Sequence, residues 1–382
     1  MTRAIKAKYI YLYNNSLGGV TKPLQRQIKF AETYASIINA EFKGIYPNNI
    51  PIKNNVILIP NNPISHSLAR QLGIQNEHQI FGTVIDPLHA EKSIYHLPVP
   101  DSTFVPKNFP FAFAQYLNDN MLVLPGYTAF SKRDALVAYD LLAQQGYIVR
   151  LKNPLGSGGY GQLRLGNKES LIRYLDSISM ELLKKFGLVL EANLIPAAGH
   201  DKLQSIGSAL NKIDGQIYCY LVEVNFRDRN GNHLLSDILV HVTKGDLSNL
   251  SGKISPMYDE AIVRTTLMEE AMSKLPAFIS SRCVWNFIYG EIDTANKSPK
   301  QNSLATFYAV EHTLRVGLGV GSLLLAVKTF MKTPQAKMVV STSAIQSVEK
   351  AEEDVDETIY STEYIEGYGI AKTASKIIEV YT

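Results

Sequence analysis

Apolar and polar positions along this chain follow two rhythms. In the first hundred residues, short continuous apolar runs trade places with stretches in which apolar residues recur every three to four positions. "KYIYLY" (8–13) reads as a strand, and Lys22 to Asn39 carries the 3.6-residue spacing of a helix. "NNVILIP" is an apolar run bounded by Asn and Pro, the pattern of a buried parallel strand. "SHSLARQLG" predicts a short helix closed by Gly73, and "HQIFGTVID" a third strand. Strand, helix, strand, helix, strand in that order predicts a small open α/β domain with a parallel sheet. Gly18 and Gly19 make no GxGxxG, so a dinucleotide fingerprint is absent.

Beyond a Pro-rich linker from Pro98 to Pro110, the pattern changes. Ser131 opens a helix, with Asp134 three residues on, and Gly146 closes it. "YIVRLK" reads as a strand, 153–161 as a glycine loop, "QLRL" as the returning strand, and Asn167 caps a helix running through Lys185. "GLVLEANL" is a further strand. "QIYCYLVEVNF" and "HLLSDILVHV" form a hairpin by the chemistry of the turn "RDRNGN". Met257 to Ser281 reads as helix, "VWNFIYGEID" and "LATFYAVE" as strands, and a glycine cluster leads into a last helix from about Val320 to Met331. The acidic run Glu349–Glu357 in the tail reads as a solvated face.

Composition narrows the classes. At 382 residues, two or three domains are expected. A formal charge of +3 over that length leaves no basic footprint for nucleic acid. The longest apolar stretch, Val316–Val327, is too short and too rich in glycine to span a membrane. Cys219 and Cys283 stand apart, which predicts a reduced, cytoplasmic chain. None of the 8 histidines falls in HExxH spacing, so a zinc enzyme is not expected.

The informative stretch is "RLKNPLGSGGYGQLRLG", where Lys152 ends an apolar run and Gly156, Gly158, Gly159 and Gly161 follow. Glycines permit positive φ and remove the Cβ that would hold a phosphate away from backbone N–H groups. Strands on both sides, and no GxxxxGK[ST], exclude the helix-opening P-loop. Two readings remain: a hairpin lid over nucleotide phosphates, or a surface hairpin whose glycines serve only its turns.

The flanking residues favour the lid. "GYIVRLKNPLGSGGYGQ" resembles the ATP-grasp superfamily pattern, in which Gly-(Phe/Tyr)-Pro-Val-Val-Val-Lys-Pro precedes a glycine-rich lid. Gly146 and Tyr147 match its start, while Ile148 and Asn153 replace its prolines. The resemblance implies that Lys152 contacts ATP phosphate and that Gly156, Ser157, Gly158, Gly159 and Gly161 form the lid. "LVLEANL" looks like the hinge strand, which would place Glu191, Ala192, Asn193 and Leu194 along adenine. "EKSIYHL" is similar to the segment whose lysine, here Lys92, begins the central domain. "VEHTLRVG" looks like the metal motif Glu-x-Asn-x-Arg, matched by Glu311 and Arg315 but carrying Thr313 in place of asparagine. The strings "LPGYTAFS", "RLKNPLGSGGYGQ" and "VEHTLRVG" look more narrowly like an uncharacterised bacterial family of ATP-grasp-like proteins.

A second metal carboxylate is expected on the preceding strand, where Glu291 and Asp293 alternate and share one face. With Glu311 they would bridge Mg2+ to a triphosphate; the competing reading is a pair of exposed strand-end acids. Arg315 and Lys152 would neutralise phosphate charge during transfer. The fold class expected is α/β (α+β), an ATP-grasp fold with an N-terminal Rossmann-like α/β domain. The expected domains are 1–100 (N-terminal), 101–195 (lid-bearing), 196–334 (C-terminal ATP-grasp subdomain) and 335–382 (extension). The resemblance implies ATP- and Mg2+-dependent ligation of a small-molecule carboxylate to an amine or thiol. A kinase-like phosphotransferase and a non-catalytic nucleotide binder remain as alternatives.

Overall fold

The computed structural model describes residues 7–15, 25–47, 50–156, 161–227, 235–272, 274–295, 305–314, 319–347, 361–365 and 369–382. The chain opens with a three-stranded parallel sheet in the order β2–β1–β3, formed by β1 (Tyr9–Tyr13), β2 (Glu41–Ile45) and β3 (Val56–Pro60). Helix α1 (Gln25–Ile38) crosses from β1 to β2, and α2 (His66–Leu72) follows β3. Every residue of β3 is buried, which its unbroken apolar run anticipates. Ser65 caps α2 by accepting from the Leu68 N–H, and Gly73, at φ 72°, lets the chain leave it.

"HQIFGTVID" does not supply the third parallel strand. That place belongs to β2, an edge strand whose residues are alternately exposed and half-buried and so carry no apolar run. The expected segment instead makes a 3₁₀ turn at Glu77–Gln79 and the two-residue β4 (Thr83–Val84). Gly82 packs so closely on Pro60 that a Cβ there would sit 2.9 Å from the ring.

After α3 (Phe111–Asp119) comes the lid-bearing domain. Its strands β5 (Gly126–Ala129), β6 (Val149–Lys152), β7 (Gln162–Arg164) and β8 (Leu188–Ala192) form an antiparallel sheet ordered β5–β8–β6–β7. Helix α4 (Lys132–Gln144) begins where Ser131 Oγ accepts from the Asp134 N–H at 3.0 Å. The single helix expected up to Lys185 is two, α5 (Lys168–Ser177) and α6 (Met180–Phe186), because Ile178 is extended and Ser179 caps afresh. Ala135, Ala138, Leu142, Leu151 and Leu190 belong to a core confined to this domain.

A short β9 (Leu194–Ile195) hands the chain to a nine-stranded antiparallel sheet. Its strands are β10 (Gln204–Ile213), β11 (Gln216–Arg227), β12 (Leu235–Lys244), β14 (Arg282–Ile292), β15 (Thr306–Thr313), β16 (Met338–Ser347), β17 (Ser361–Ile365) and β18 (Gly369–Tyr381), with β9 joined to β14. The expected hairpin is β11 paired with β12; its turn lies outside the described residues. Helix α7 (Met257–Met272) ends before Ser281, since Pro276 and Ala277, at φ 52°, turn the chain into β13 (Ile279–Ser280), which pairs with β4. Helix α8 (Gly319–Lys332) precedes β16, and the chain after Pro334 continues the large sheet through β16, β18 and β17.

One face of this sheet is packed with α3 and α7 around Phe113, Met268, Trp285 and Phe287. The other shares a single core with the N-terminal domain, where Ile10, Phe30, Tyr34 and Ile57 join Tyr220, Val240, Leu324 and Val339. Each fully buried side chain of this size contributes about 1.5–3 kcal/mol. No helix among the described residues is long and apolar enough to cross a membrane.

Candidate active site

Lys152 closes β6, in register with Val189 of β8 and Gln162 of β7. Glu191 lies opposite Arg150 on β8, so Glu191 is a diagonal neighbour of Lys152 on the same sheet face. The Lys152 ammonium is ion-paired with Glu191 Oε1, and both side chains are buried. On its other oxygen Glu191 meets His96 Nε2 at 3.0 Å. Burial pushes the Glu191 carboxyl up, but Lys152 and then His96 outweigh it and hold the group at about 2. Burial lowers the Lys152 pKa, with Glu191 opposing. Gly126 makes room for this arrangement: a Cβ there would sit 2.8 Å from the His96 ring and 2.9 Å from Glu191 Cβ.

Lys92, in a 3₁₀ turn at Lys92–Tyr95, supplies a second buried ammonium. Its Nζ donates to the Gly156 carbonyl at 2.5 Å and lies 3.3 Å from Glu311 Oε2. The root of the glycine loop is folded by Asn153, whose N–H donates to the Gly161 carbonyl and whose Oδ1 accepts from the Leu155 N–H at 3.0 Å. Gly161 stands at φ 70°, and a Cβ there would strike Asn153 at 2.9 Å, so glycine is required on two grounds. Ser157, Gly158 and Gly159 lie outside the described residues, as does Arg315.

The segment Glu191–Leu194, expected to act as the hinge, is bonded on both sides. Ala192 N–H donates to the Pro125 carbonyl and Asn193 N–H to that of Ile148, while the Asn193 carbonyl accepts from Asp293 N–H. Leu194 is in register with Ile292. The Asn193 side chain joins Arg150 Nε, at 2.8 Å, to Asp293 Oδ2, at 2.9 Å.

The acids expected to share a metal are not brought together. Glu311 faces Asn286 across the β14–β15 ladder, beside a bulge between Asn286 and Phe287. Glu291 and Asp293 lie five and seven positions further along β14's direction, about 16–23 Å at strand spacing. Each has other work there. Glu291 accepts from the Ala198 N–H at 3.0 Å, and Asp293 accepts from Asn193 and, at 3.3 Å, from Arg164. Among the described residues no group of three His, Cys, Asp or Glu could hold a metal.

The corner around Glu311 therefore offers one carboxylate, the Thr313 hydroxyl and the Asn286 amide, whose Nδ2 donates to Thr313 Oγ1 at 3.2 Å. Burial holds His312 at about 4, so it is neutral. Its Nε2 must donate to the His89 carbonyl, leaving Nδ1 to accept from the Tyr95 hydroxyl. Trp285 is core, as its apolar surroundings imply.

Sequence reasoning missed His96, Asn153 and Asn286. Asn286 carried one signal: it is the polar residue inside "VWNFIYG". Among the described residues Glu311, Lys92 and Gly156 also line a cavity of about 540 Å³ whose far wall is the N-terminal domain.

Comparison with solved structures shows this architecture to be that of ATP-grasp proteins. The biotin carboxylase domain of 2-oxoglutarate carboxylase from Hydrogenobacter thermophilus, solved with MgADP, ADP and bicarbonate, is 13% identical. The match covers 97% of this chain and 86% of that one, at a TM-score of 0.51. Phosphoribosylamine–glycine ligase from Thermotoga maritima is 11% identical over 97% of this chain and 93% of that one, at a TM-score of 0.53. No curated protein matches the sequence. Residues 22–374 match the family described as "Protein of unknown function (DUF3182)".

Proposed function

Since the chain belongs to the DUF3182 family, whose description names no activity, we propose from the site itself that it is an ATP- and Mg2+-dependent ligase. In this reading ATP lies between the lid-bearing domain and the large sheet. The γ-phosphoryl group passes to a substrate carboxylate, breaking the bond to ADP and forming an acyl phosphate. An amine or thiol then attacks the acyl carbon, and phosphate leaves. The observation that carries the reading is Lys92, whose ammonium joins Gly156, at the root of the glycine loop, to Glu311, with buried Lys152 ending the strand that enters the loop.

The residues present fit a nucleotide. Two buried ammonium groups would hold phosphate oxygens, and the lid root is shaped by a glycine at positive φ. Glu191, held in turn by His96, fixes the Lys152 ammonium at the end of β6. Arg150 and Asn193 fix the hinge against Asp293. Glu311, with Thr313 beside it, would hold Mg2+, and the ion when bound would neutralise charge on the transferring phosphoryl group. No protein nucleophile is required; the chain positions its reactants and balances charge. Arg315, beyond the described residues, keeps the phosphate role implied by its motif.

A non-catalytic nucleotide binder is the second reading, favoured by one observation. The residue across the ladder from Glu311 is the amide Asn286, not a second carboxylate. Hydroxylamine distinguishes the readings. With the correct acid and MgATP, a ligase yields a hydroxamate, equal ADP and phosphate, and carboxylate oxygen in the phosphate. A stable phosphorylated product without free phosphate indicates a kinase. ATP binding without ADP release from any acid indicates a binder.

A further inference from the structure

Strand β7 is the exit from the glycine loop, and by itself it is weakly held. It has three residues, lies at the edge of its sheet, and two of the three are exposed. Few ladder bonds and little buried surface oppose the opening of such a strand. Its pairing also brings like charges together. Arg164 stands directly across from Arg150 of β6, and opposed cations on one sheet face repel. Burial lowers the Arg150 pKa, with Glu191 and Asp293 opposing that shift and Arg164 adding to it.

The balancing carboxylate comes from the large sheet. Asp293 follows β14 and enters among the strands of the lid-bearing domain by its backbone. Its N–H donates to the Asn193 carbonyl at 2.8 Å, and its own carbonyl accepts from the Ile148 N–H at 3.1 Å. Tyr147 bridges to Thr294, and the Ala295 N–H donates to the Gly146 carbonyl at 2.8 Å, which extends the crossing by two residues. With its backbone pinned, Asp293 holds its carboxylate in a fixed place. Oδ2 accepts from Asn193 Nδ2 at 2.9 Å and from Arg164 Nη2 at 3.3 Å. Asn193 Oδ1 in turn accepts from Arg150 Nε at 2.8 Å, and Arg150 Nη1 donates to Gln162 Oε1 at 3.3 Å. Both polar side chains of β7 are thus tied to the segment 191–194, Arg164 through Asp293 and Gln162 through Arg150. The Asp293 side chain is 12% exposed and that of Arg164 56%, so this ion pair opens from the β7 side.

We propose that Asp293 is a positioning residue, which anchors β7, and with it the glycine-loop exit at Gly161, to the segment 191–194. One carboxylate then sets both ends of the candidate nucleotide site. The proposal takes what the site binds from the ligase reading, but the anchoring stands without it. A shift of β7 reaches the end of β6 directly. Gln162 is in register with Lys152, and the Asn153 N–H donates to the Gly161 carbonyl at 2.8 Å.

Hydrogen exchange of the full chain without nucleotide tests the anchor in Asp293→Asn, and in the same variant carrying Arg164→Met. Asp293→Asn should raise exchange at amides 161–165 about three- to tenfold, the range of a half-exposed charged hydrogen bond. Strands β11 and β12 should exchange as in the parent. Adding Arg164→Met should bring the rate back towards the parent, because it removes the cation that the lost carboxylate balanced. A packing defect at position 293 would not be rescued in this way. By calorimetry, ATP affinity should fall about three- to tenfold in Asp293→Asn and recover in the double variant. Selective, rescued loosening with ATP affinity unchanged upholds the anchor and removes this loop from the nucleotide site. Unchanged exchange at 161–165, a rise spread equally over β11 and β12, or a double variant as loose as Asp293→Asn overturns the anchor.

Discussion

Two lysine–carboxylate pairs flank the glycine loop, and they differ in how far the acid is exposed and in what else it meets. Lys152 and Glu191 are both sealed, with side-chain exposures of 5% and 4%. Lys92 is sealed to the same degree, but its partner Glu311 is 25% exposed and opens on the cavity. Glu191 spends its second oxygen on His96, whereas Glu311 has the Asn286 amide across the ladder and Thr313 two residues on along its own strand. The sealed pair is built to stay together and to hold Lys152 in place. The open pair can part on the side of Glu311, which water reaches, while Lys92 keeps its bond to the Gly156 carbonyl.

The largest expected effect breaks the sealed pair. Glu191→Ala leaves Lys152 buried without its carboxylate and should cost about 3–5 kcal/mol of folding stability. Glu311→Ala should cost less, since Glu311 is part-exposed and Lys92, though sealed, keeps the Gly156 carbonyl as an acceptor. Urea denaturation of the two variants compares them directly, and equal losses would erase the distinction. Next in size is Lys152→Met. ATP affinity should fall by about 1.5–3 kcal/mol while adenosine affinity holds, measured by calorimetry with the melting temperature recorded alongside. Equal ATP affinity would remove this lysine from the phosphate site.

Acid should report the same contrast. The Glu191 carboxyl stands at about 2 against an ordinary value of 4.5, so the folded state binds fewer protons there than the unfolded chain. Its stabilising contribution is complete above pH 4.5 and drains as pH falls towards 2. Glu191→Gln should flatten that part of the stability profile, and an unchanged slope would assign it to other groups. The smallest effect sharpens the open pair. Magnesium should tighten ATP binding, and Glu311→Gln should abolish most of the gain at little cost in stability; an undiminished gain would show that Glu311 ligates nothing.

What the sequence disclosed followed the range of the interactions involved. Lys152, Gly156 and Gly161 were legible because a strand end and a glycine-rich turn are local chemistry. The helix starts at Ser131 and Asn167 and the helix end at Gly73 were legible for the same reason. Strand β2 was not, since an edge strand needs no apolar run. Period-two counting placed Glu291 and Asp293 on one face and took them for partners of Glu311. It could not reveal that the bulged ladder sets Glu311 against Asn286 instead. His96 was illegible for a plainer reason: its partner Glu191 is 95 residues away in the chain.

The shared core beneath α1 and α8 has a mechanical meaning. With Phe30 and Tyr34 packed among Leu324, Tyr220 and Val240, the N-terminal domain and the large sheet cannot separate without exposing that core to water. The domain built on β5–β8 keeps a separate core, so a tilt of that domain would leave the shared core dry. The cavity of about 540 Å³ is lined mostly from outside that domain, which contributes Pro154, Leu155, Gly156 and Phe186 among the described residues.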